Sequence, residues 1–408
     1  MDLSLKQSTP QMSEVFNDRF EKLLLSLDEA VVHAGKKTDK QKLIEASEQN
    51  ESRRLLLVVE ELANKKKEVA ATAENAYLQQ VETDFHNALI VDLESEFRDT
   101  AMIMEKVLRF DSSLGRILDV LCTEACSISR LVTCLETLPW LEESILKFVR
   151  QPKYMRVNSS GHPIILKTIR SALSFVGIES LRSLIPVLIA KHTNPMHSEF
   201  TPNLTKNLWL YTIGTGNLAK ALSESYGIKP HFGFNIGLLA NIGRTAVVSL
   251  YLRTFESKLR KEIIKARKKN NMNQAKVLGA LSPSFKYINL LWKNHANTIT
   301  ANVVNELNCR WMMIAIGFED FAKIKQVNIK HVDELKLHAF AKLLFTAQGF
   351  MQYKMLYREK LITKQESMVY LRSFGIGSKE VAIVSKINLT GVELNIAGII
   401  DESEDRKD

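Results

Sequence analysis

Histidine and cysteine are the side chains best suited to hold a metal or act as a nucleophile, and this 408-residue chain carries nine of the first and four of the second. His231 and His295 lie in the second half of the sequence and could each donate an imidazole nitrogen to a divalent ion. The ordinary alternative is a hydrogen-bonded structural histidine. His192 and His197 flank Asn194-Pro195 and read as loop histidines. Cys122 and Cys126 sit one helical turn apart, with Cys134 following. A Cys-x-x-x-Cys on its own is weak, and free cysteine is common core material. Gly214-Thr215-Gly216 lacks the preceding strand and the full spacing of a phosphate loop, so those small residues are expected to let neighbouring helices approach closely. Neither Gly-x-Ser-x-Gly nor His-Glu-x-x-His occurs in the sequence.

Charge offers a second kind of chemistry. The formal net charge is +9, and between Arg253 and Lys276 nine basic residues stand against Glu256 and Glu262. On a helix Lys258, Lys261, Lys265 and Lys268 share one face, while Leu259, Ile263 and Ala266 take another. Such a stripe can hold phosphate, on a nucleic acid or a nucleotide. It lacks the interleaved aromatic residues that stack bases, and a solvated helix face is the favoured reading.

The elements that must position these groups are helical. Only 17 glycines and 9 prolines occur, well below the average of about 7% and about 5%. A chain so poor in turn-formers cannot make the frequent corners of a sandwich or barrel. Apolar residues recur at helical spacing almost throughout. Phe16, Phe20, Leu23, Leu24, Leu27, Ala30 and Val31 form one face of a helix expected to start after Ser13. Thr38 with Gln41 reads as a capping box. From Leu55 to Leu89 an amphipathic stripe continues without glycine or proline, as one long helix or two abutting ones. Further helices are expected through Ile103 to Leu108 and Leu114 to Leu121. Thr201-Pro202 and Ser282-Pro283 each fit a cap followed by proline at the first helical position, and Thr363 with Glu366 opens a helix that Gly375 stops before Ser378 opens another.

The length predicts two compact units. Residues 1–130 are expected to form a helical hairpin or bundle, because such stripes must be buried against something. Residues 131–398 form the main helical domain with its C-terminal extension, and the polar tail 399–408 is expected to be disordered. Four cysteines are too few for a disulfide framework, Asp2, Lys6 and Glu14 near the start leave no secretory signal, and no uncharged apolar run is long enough to cross a bilayer. The richest, Ile236 to Leu252, is interrupted by Asn241, Gly243 and Arg244. A cytoplasmic protein without membrane insertion is expected.

From Leu138 to about Phe321 the sequence resembles the HDOD family, relatives of the HD metal-dependent phosphohydrolases. Leu138-Pro139-Trp140-Leu141 followed by Ile145-Leu146 looks like the family's opening helix, and Val157-Asn158-Ser159-Ser160 like its Asn-Ser turn. Ile169 to Leu173 and Val176 to Arg182 match its helix, glycine and second helix. Leu208-Trp209 opens a helix that the family also begins with tryptophan. The most specific match is Ile236-Gly237-Leu238-Leu239-Ala240-Asn241-Ile242-Gly243-Arg244, where relatives read Gly-Leu-Leu, a polar pair, Ile-Gly and a basic residue. The first 130 residues are not covered.

The resemblance implies an all-α, HD-like multi-helix fold, and a degenerate site. HD hydrolases bind metal through an adjacent His-Asp pair with a further histidine upstream, and the metal activates water for attack on phosphorus. Here Ala240-Asn241 replaces the pair, and the upstream histidine falls at or next to Tyr211. Alanine donates nothing, a neutral amide is a poor substitute for a carboxylate, and tyrosine is a weak ligand. No catalysis, metal or cofactor is therefore expected. With Asn158, Ser159, His231 and His295 as candidate pocket residues, the resemblance implies a bacterial signal-transduction protein acting by protein or small-ligand binding. Other signalling proteins are the expected partners, with self-association through the N-terminal helices and a nucleotide ligand as further options. The alternatives are a divergent phosphohydrolase or phosphodiesterase with relocated ligands, and a nucleic-acid or nucleotide binder using the 258–269 stripe.

Overall fold

The computed structural model describes residues 3–38, 41, 58–111, 113–154, 166–195, 200, 203–324, 336–392, 394 and 396, with side chains described from Glu14 onward and, in the long helix that follows, from Ala76. Every regular element among them is helical. The chain opens with α1 (Leu3–Leu25) and α2 (Leu27–His33), then the 40-residue α3 (Val58–Phe97) and a short α4 (Thr100–Met102) that runs into a π turn over Ile103–Leu108. Next come α5 (Leu114–Cys122), α6 (Ile128–Leu135), α7 (Pro139–Val149), α8 (Ile169–Val176) and α9 (Ile178–Thr193). The middle of the fold is α10 (Leu204–Leu222), α11 (Pro230–Leu239), α12 (Ile242–Lys268) and α13 (Met272–Ala280). After α14 (Phe285–Leu291) and a π turn over Trp292–Ala296 follow α15 (Asn297–Glu306), α16 (Ala315–Ile324), α17 (Ala339–Arg358), α18 (Lys364–Ser373) and α19 (Ser378–Val384).

Local signals explain most of these limits. The Thr363 hydroxyl accepts the Glu366 N–H while Glu366 accepts the Thr363 N–H, a reciprocal cap for α18. Thr38 and Gln41 make the same pair of bonds. Gly375 ends α18 at a φ of +69°, where a Cβ would be strained. Three limits differ from expectation. Helix α1 begins at Leu3 and passes through Pro10, which removes one backbone donor early in the helix without ending it. The face expected to run on to Val31 breaks at Ser26, so Leu27, Ala30 and Val31 lie on α2, whereas the stripe from Val58 is one continuous helix, the first of the two forms expected. Ser282 does not cap α14: that cap is Ser284, whose N–H is held at 2.9 Å by the Tyr251 hydroxyl, so the helix starts two residues later. Thr201-Pro202, Asn158, Ser159 and His197 lie outside the described residues.

Helices α10 and α11 make the most extensive pairing, and α17 packs against both. Glycine permits it: a Cβ on Gly237 would lie 2.7 Å from the Gly216 Cα and the Thr215 carbonyl oxygen. Gly243 is pressed against the Ala296 carbonyl in the same way, and its N–H donates to Thr300 Oγ1 at 3.0 Å. These are the two glycines of the Ile236–Arg244 stretch, so backbone contact accounts for both. Helix α1 lies over α10, α14, α17 and α18, and α3 lies over α12 and α13 through Val81, Phe85, Leu89 and Leu93. That part of the long stripe is buried inside the chain. One continuous apolar cluster runs from Phe16 on α1 to Val384 on α19, so residues before and after 130 share it.

Among the described residues no single helix is long and apolar enough to cross a membrane. Helices α8 and α9 reach that apolarity only as a pair, bent by 112° at Gly177, whose φ is +78°.

Candidate functional site

Tyr211 on α10, and Ala240 and Asn241 in the turn between α11 and α12, are all buried. The Tyr211 hydroxyl accepts a hydrogen bond from Gln352 Nε2 on α17 at 3.1 Å. The Gln352 Oε1 in turn lies 2.7 Å from the hydroxyl of Tyr370 on α18, which also reaches Asn17 Oδ1 at 2.8 Å. Burial pushes the Tyr211 phenol up to about 12 and drives Tyr370 upward too, so both rings stay neutral near pH 7. A phenol binds metal well only as phenolate, and this environment opposes it.

Asn241 is 2% exposed; its Nδ2 donates to Thr212 Oγ1 at 3.2 Å, and its Oδ1 has no partner. Ala240 offers only its carbonyl, 3.5 Å from Thr300 Oγ1. The donor set is thus two neutral phenols, amides and hydroxyls. It does not fit a divalent ion that needs imidazole or carboxylate donors. Among the described residues no three His, Cys, Asp or Glu side chains converge in a metal-holding group.

Helix α1 covers this site. The Phe20 ring packs on Tyr211 with centroids 4.8 Å apart. Glu21 Oε1 pairs with Arg244 at 3.2 Å, with side chains only 12% and 13% exposed. The Arg244 guanidinium sits 5.1 Å above the Trp292 ring, and Trp292 Nε1 donates to the Arg244 carbonyl at 3.0 Å. At the rim Asp18 meets Lys293 at 2.7 Å, Lys22 at 3.2 Å and His33 at 3.1 Å. Burial works against the Asp18 carboxylate, but Lys293 and Lys22 together hold its pKa below the ordinary value. Burial and Lys22 outweigh Asp18 at His33 and lower its pKa, so the His33 contact is a hydrogen bond from a neutral ring near pH 7.

The other candidates lie elsewhere. His231 stands on the first turn of α11, roughly 13 Å along the helix from Ala240 at 1.5 Å per residue. Its ring is half-buried beside Phe232, and burial with Arg182 and Lys229 lowers its pKa. His295 packs on Phe97 of α3. Of the lysine stripe, Lys258 donates to the Ala88 carbonyl at 2.8 Å and to Asp92, tying α12 to α3. Lys265 meets Glu262 at 3.4 Å, and Lys261, Lys265 and Lys268 are exposed. Burial pushes the Cys122 and Cys309 thiols up to about 12, and the four cysteines are free thiols.

Several residues that shape the site escaped the sequence reading: Glu21, Asn17, Gln352 and Tyr370. Gln348 and Gln352 did leave a signal, as amides set among Leu343, Leu344, Ala347 and Met351 at the centre of α17. A buried amide must find a partner.

Residues 109–284 match the family model of the HDOD domain. The match starts at Arg109, whose left-handed backbone ends the first π turn, and stops at Ser284, the cap of α14. It therefore begins before Leu138 and takes in α5 and α6. No curated protein and no solved structure matches the chain. Tyr211, Thr212, Asn241 and Arg244 fall inside the matched segment, while Phe20, Glu21, Trp292, Gln352 and Tyr370 fall outside it.

Proposed function

With an HDOD domain at its centre, this chain is, we propose, a non-catalytic signal-transduction protein that works by binding other proteins or a small ligand. The observation that carries this reading is the fate of the three positions where HD hydrolases hold metal. Tyr211 is tied to Gln352 and packed under Phe20, Asn241 is tied to Thr212, and Ala240 has no donor side chain. Water activation for attack on phosphorus needs an ion and a path for substrate. Neutral side chains and the Glu21–Arg244 pair oppose both.

Protein binding is supported by Trp311, Met313 and Ile316, which are exposed although large and apolar. The loop that carries Trp311 and Met313 and leads into Ile316 on α16 is fixed rather than loose. The Asp119 carboxylate accepts the N–H groups of Arg310, Trp311 and Met312 at 2.6, 2.9 and 2.9 Å. A rigid apolar surface suits recognition, because little ordering entropy is lost on binding. The four free thiols suit a reducing cytoplasm, which is part of this reading.

The test is turnover. Purified full-length protein supplied with Mn²⁺, Mg²⁺ or Fe²⁺ should hydrolyse neither phosphomonoesters nor cyclic dinucleotides. Metal-dependent turnover that disappears in His231→Ala or His295→Ala would overturn the proposal.

A further inference from the structure

Trp209 and Tyr211 are two residues apart on α10, so they leave the helix about 200° apart. Tyr211 faces the covered site. Trp209 faces a cleft of about 480 Å³ between α7, α9 and the segment around Val392. That volume lies in the range of small-molecule pockets.

The lining joins two kinds of chemistry. Phe148, Tyr154 and Trp209 give flat apolar walls, and Lys147 and Lys191 bring two ammonium groups. No acidic side chain lines the cleft among the described residues. Glu143 stands outside it and pairs with Lys147 at 2.8 Å, but both side chains are largely exposed, so water screens the contact. His192 completes the wall. Its ring stacks on Trp140 with centroids 4.0 Å apart, and its Nε2 is buried with no hydrogen-bond partner. Ser144 and Gln151 add neutral hydrogen-bonding side chains to the same lining.

We propose that this cleft binds a nucleoside phosphate. The aromatic walls supply stacking surface for a base. The two lysines supply charge for the phosphate. A fatty acyl chain would have no use for this polar wall, and inorganic phosphate would have no use for the aromatic ones. The ligand would also touch two parts of the chain. Lys147, Lys191 and Trp209 belong to the HDOD domain, whereas Val392 belongs to a C-terminal segment that Asn217 Nδ2 pins through the carbonyls of Asn388 and Gly391, at 2.9 and 2.7 Å. The site stands on the other side of α10 from Tyr211, so it holds whether or not the covered site turns over substrate.

The test is fluorescence anisotropy of full-length protein with N-methylanthraniloyl-labelled AMP and GMP, in competition with unlabelled nucleotide, nucleoside and inorganic phosphate. Saturable binding in the micromolar range is expected for at least one probe. The double variant Lys147→Ala/Lys191→Ala should weaken it about tenfold or more, because charge-assisted contacts to phosphate are lost. Trp209→Leu should weaken it by a similar factor, with circular dichroism confirming the fold. Lys261→Ala/Lys268→Ala on the exposed face of α12 should leave it unchanged. Three results would each overturn the proposal: no saturable binding up to millimolar probe, competition by phosphate as strong as by nucleotide, or binding insensitive to the lysine pair in the cleft.

Discussion

The two sides of α10 have opposite designs. On the Tyr211 side, polar groups are buried under Phe20, Glu21, Gln352 and Tyr370 from outside the matched segment. On the Trp209 side, two exposed lysines and three aromatic rings line an open cleft. A polar group under a lid contributes to stability through its partners, and removing one strands the other. A lysine at the edge of a cleft has little to stabilise and is available to a ligand. The covered side should therefore respond to mutation in stability, and the open side in binding.

Phe20→Ala should give the heaviest loss, about 3 to 4 kcal/mol, because it leaves a void against Tyr211 that buried neighbours cannot fill. Urea unfolding reads it directly. Arg244→Ala should cost about 3 kcal/mol by leaving the Glu21 carboxylate buried and unpaired, and Glu21→Gln in the same background should recover part of that loss. Tyr370→Phe removes the hydroxyl between Gln352 and Asn17 and should cost about 1 kcal/mol in the same assay. Lys147→Ala/Lys191→Ala, by contrast, should leave the unfolding curve unchanged. A large stability loss in that pair, or none in Arg244→Ala, would erase the distinction between the two sides.

A gentler effect concerns pH. The Asp18 carboxylate titrates below its ordinary value in the folded protein because Lys293 and Lys22 overcome the cost of its burial. A carboxylate with a depressed folded pKa contributes stability that is complete above its unfolded pKa of about 3.9 and is lost as the pH falls through the folded value. Asp18→Asn should thus be less stable than the parent at pH 7, and the gap should close on acidification below about pH 4. Unfolding measured across that range checks the sign.

How much of this could be read from the sequence follows from how local each feature is. The close helix approach at Gly214-Thr215-Gly216 was legible from the run of small residues, and Gly237 packs there on the Gly216 Cα; Gly237 and Gly243 themselves were legible only as part of the family pattern. That Ala240 and Asn241 carry no imidazole or carboxylate donor is legible from residue type alone. The apolar face of α1 was legible as a buried stripe, but what buries it was not. Phe20 and Tyr211 are 191 positions apart, and no local pattern joins them. The lysine stripe shows the same limit: Lys258 shares a helical face with Lys261, yet Asp92 and the Ala88 carbonyl on a distant helix engage it. The cleft was illegible because Lys147, Lys191 and Trp209 come from three helices, and only packing brings them together.

The central claim is that side chains at 211, 240 and 241 cannot hold a divalent ion. Its most direct test is the metal content of the full-length protein, by plasma mass spectrometry, after incubation with excess Mn²⁺, Fe²⁺ or Zn²⁺ and desalting. The account predicts no ion retained in proportion to protein. Retention of one or two ions per chain, as a hydrolytic centre requires, with loss on Tyr211→Phe or Asn241→Ala, would contradict it.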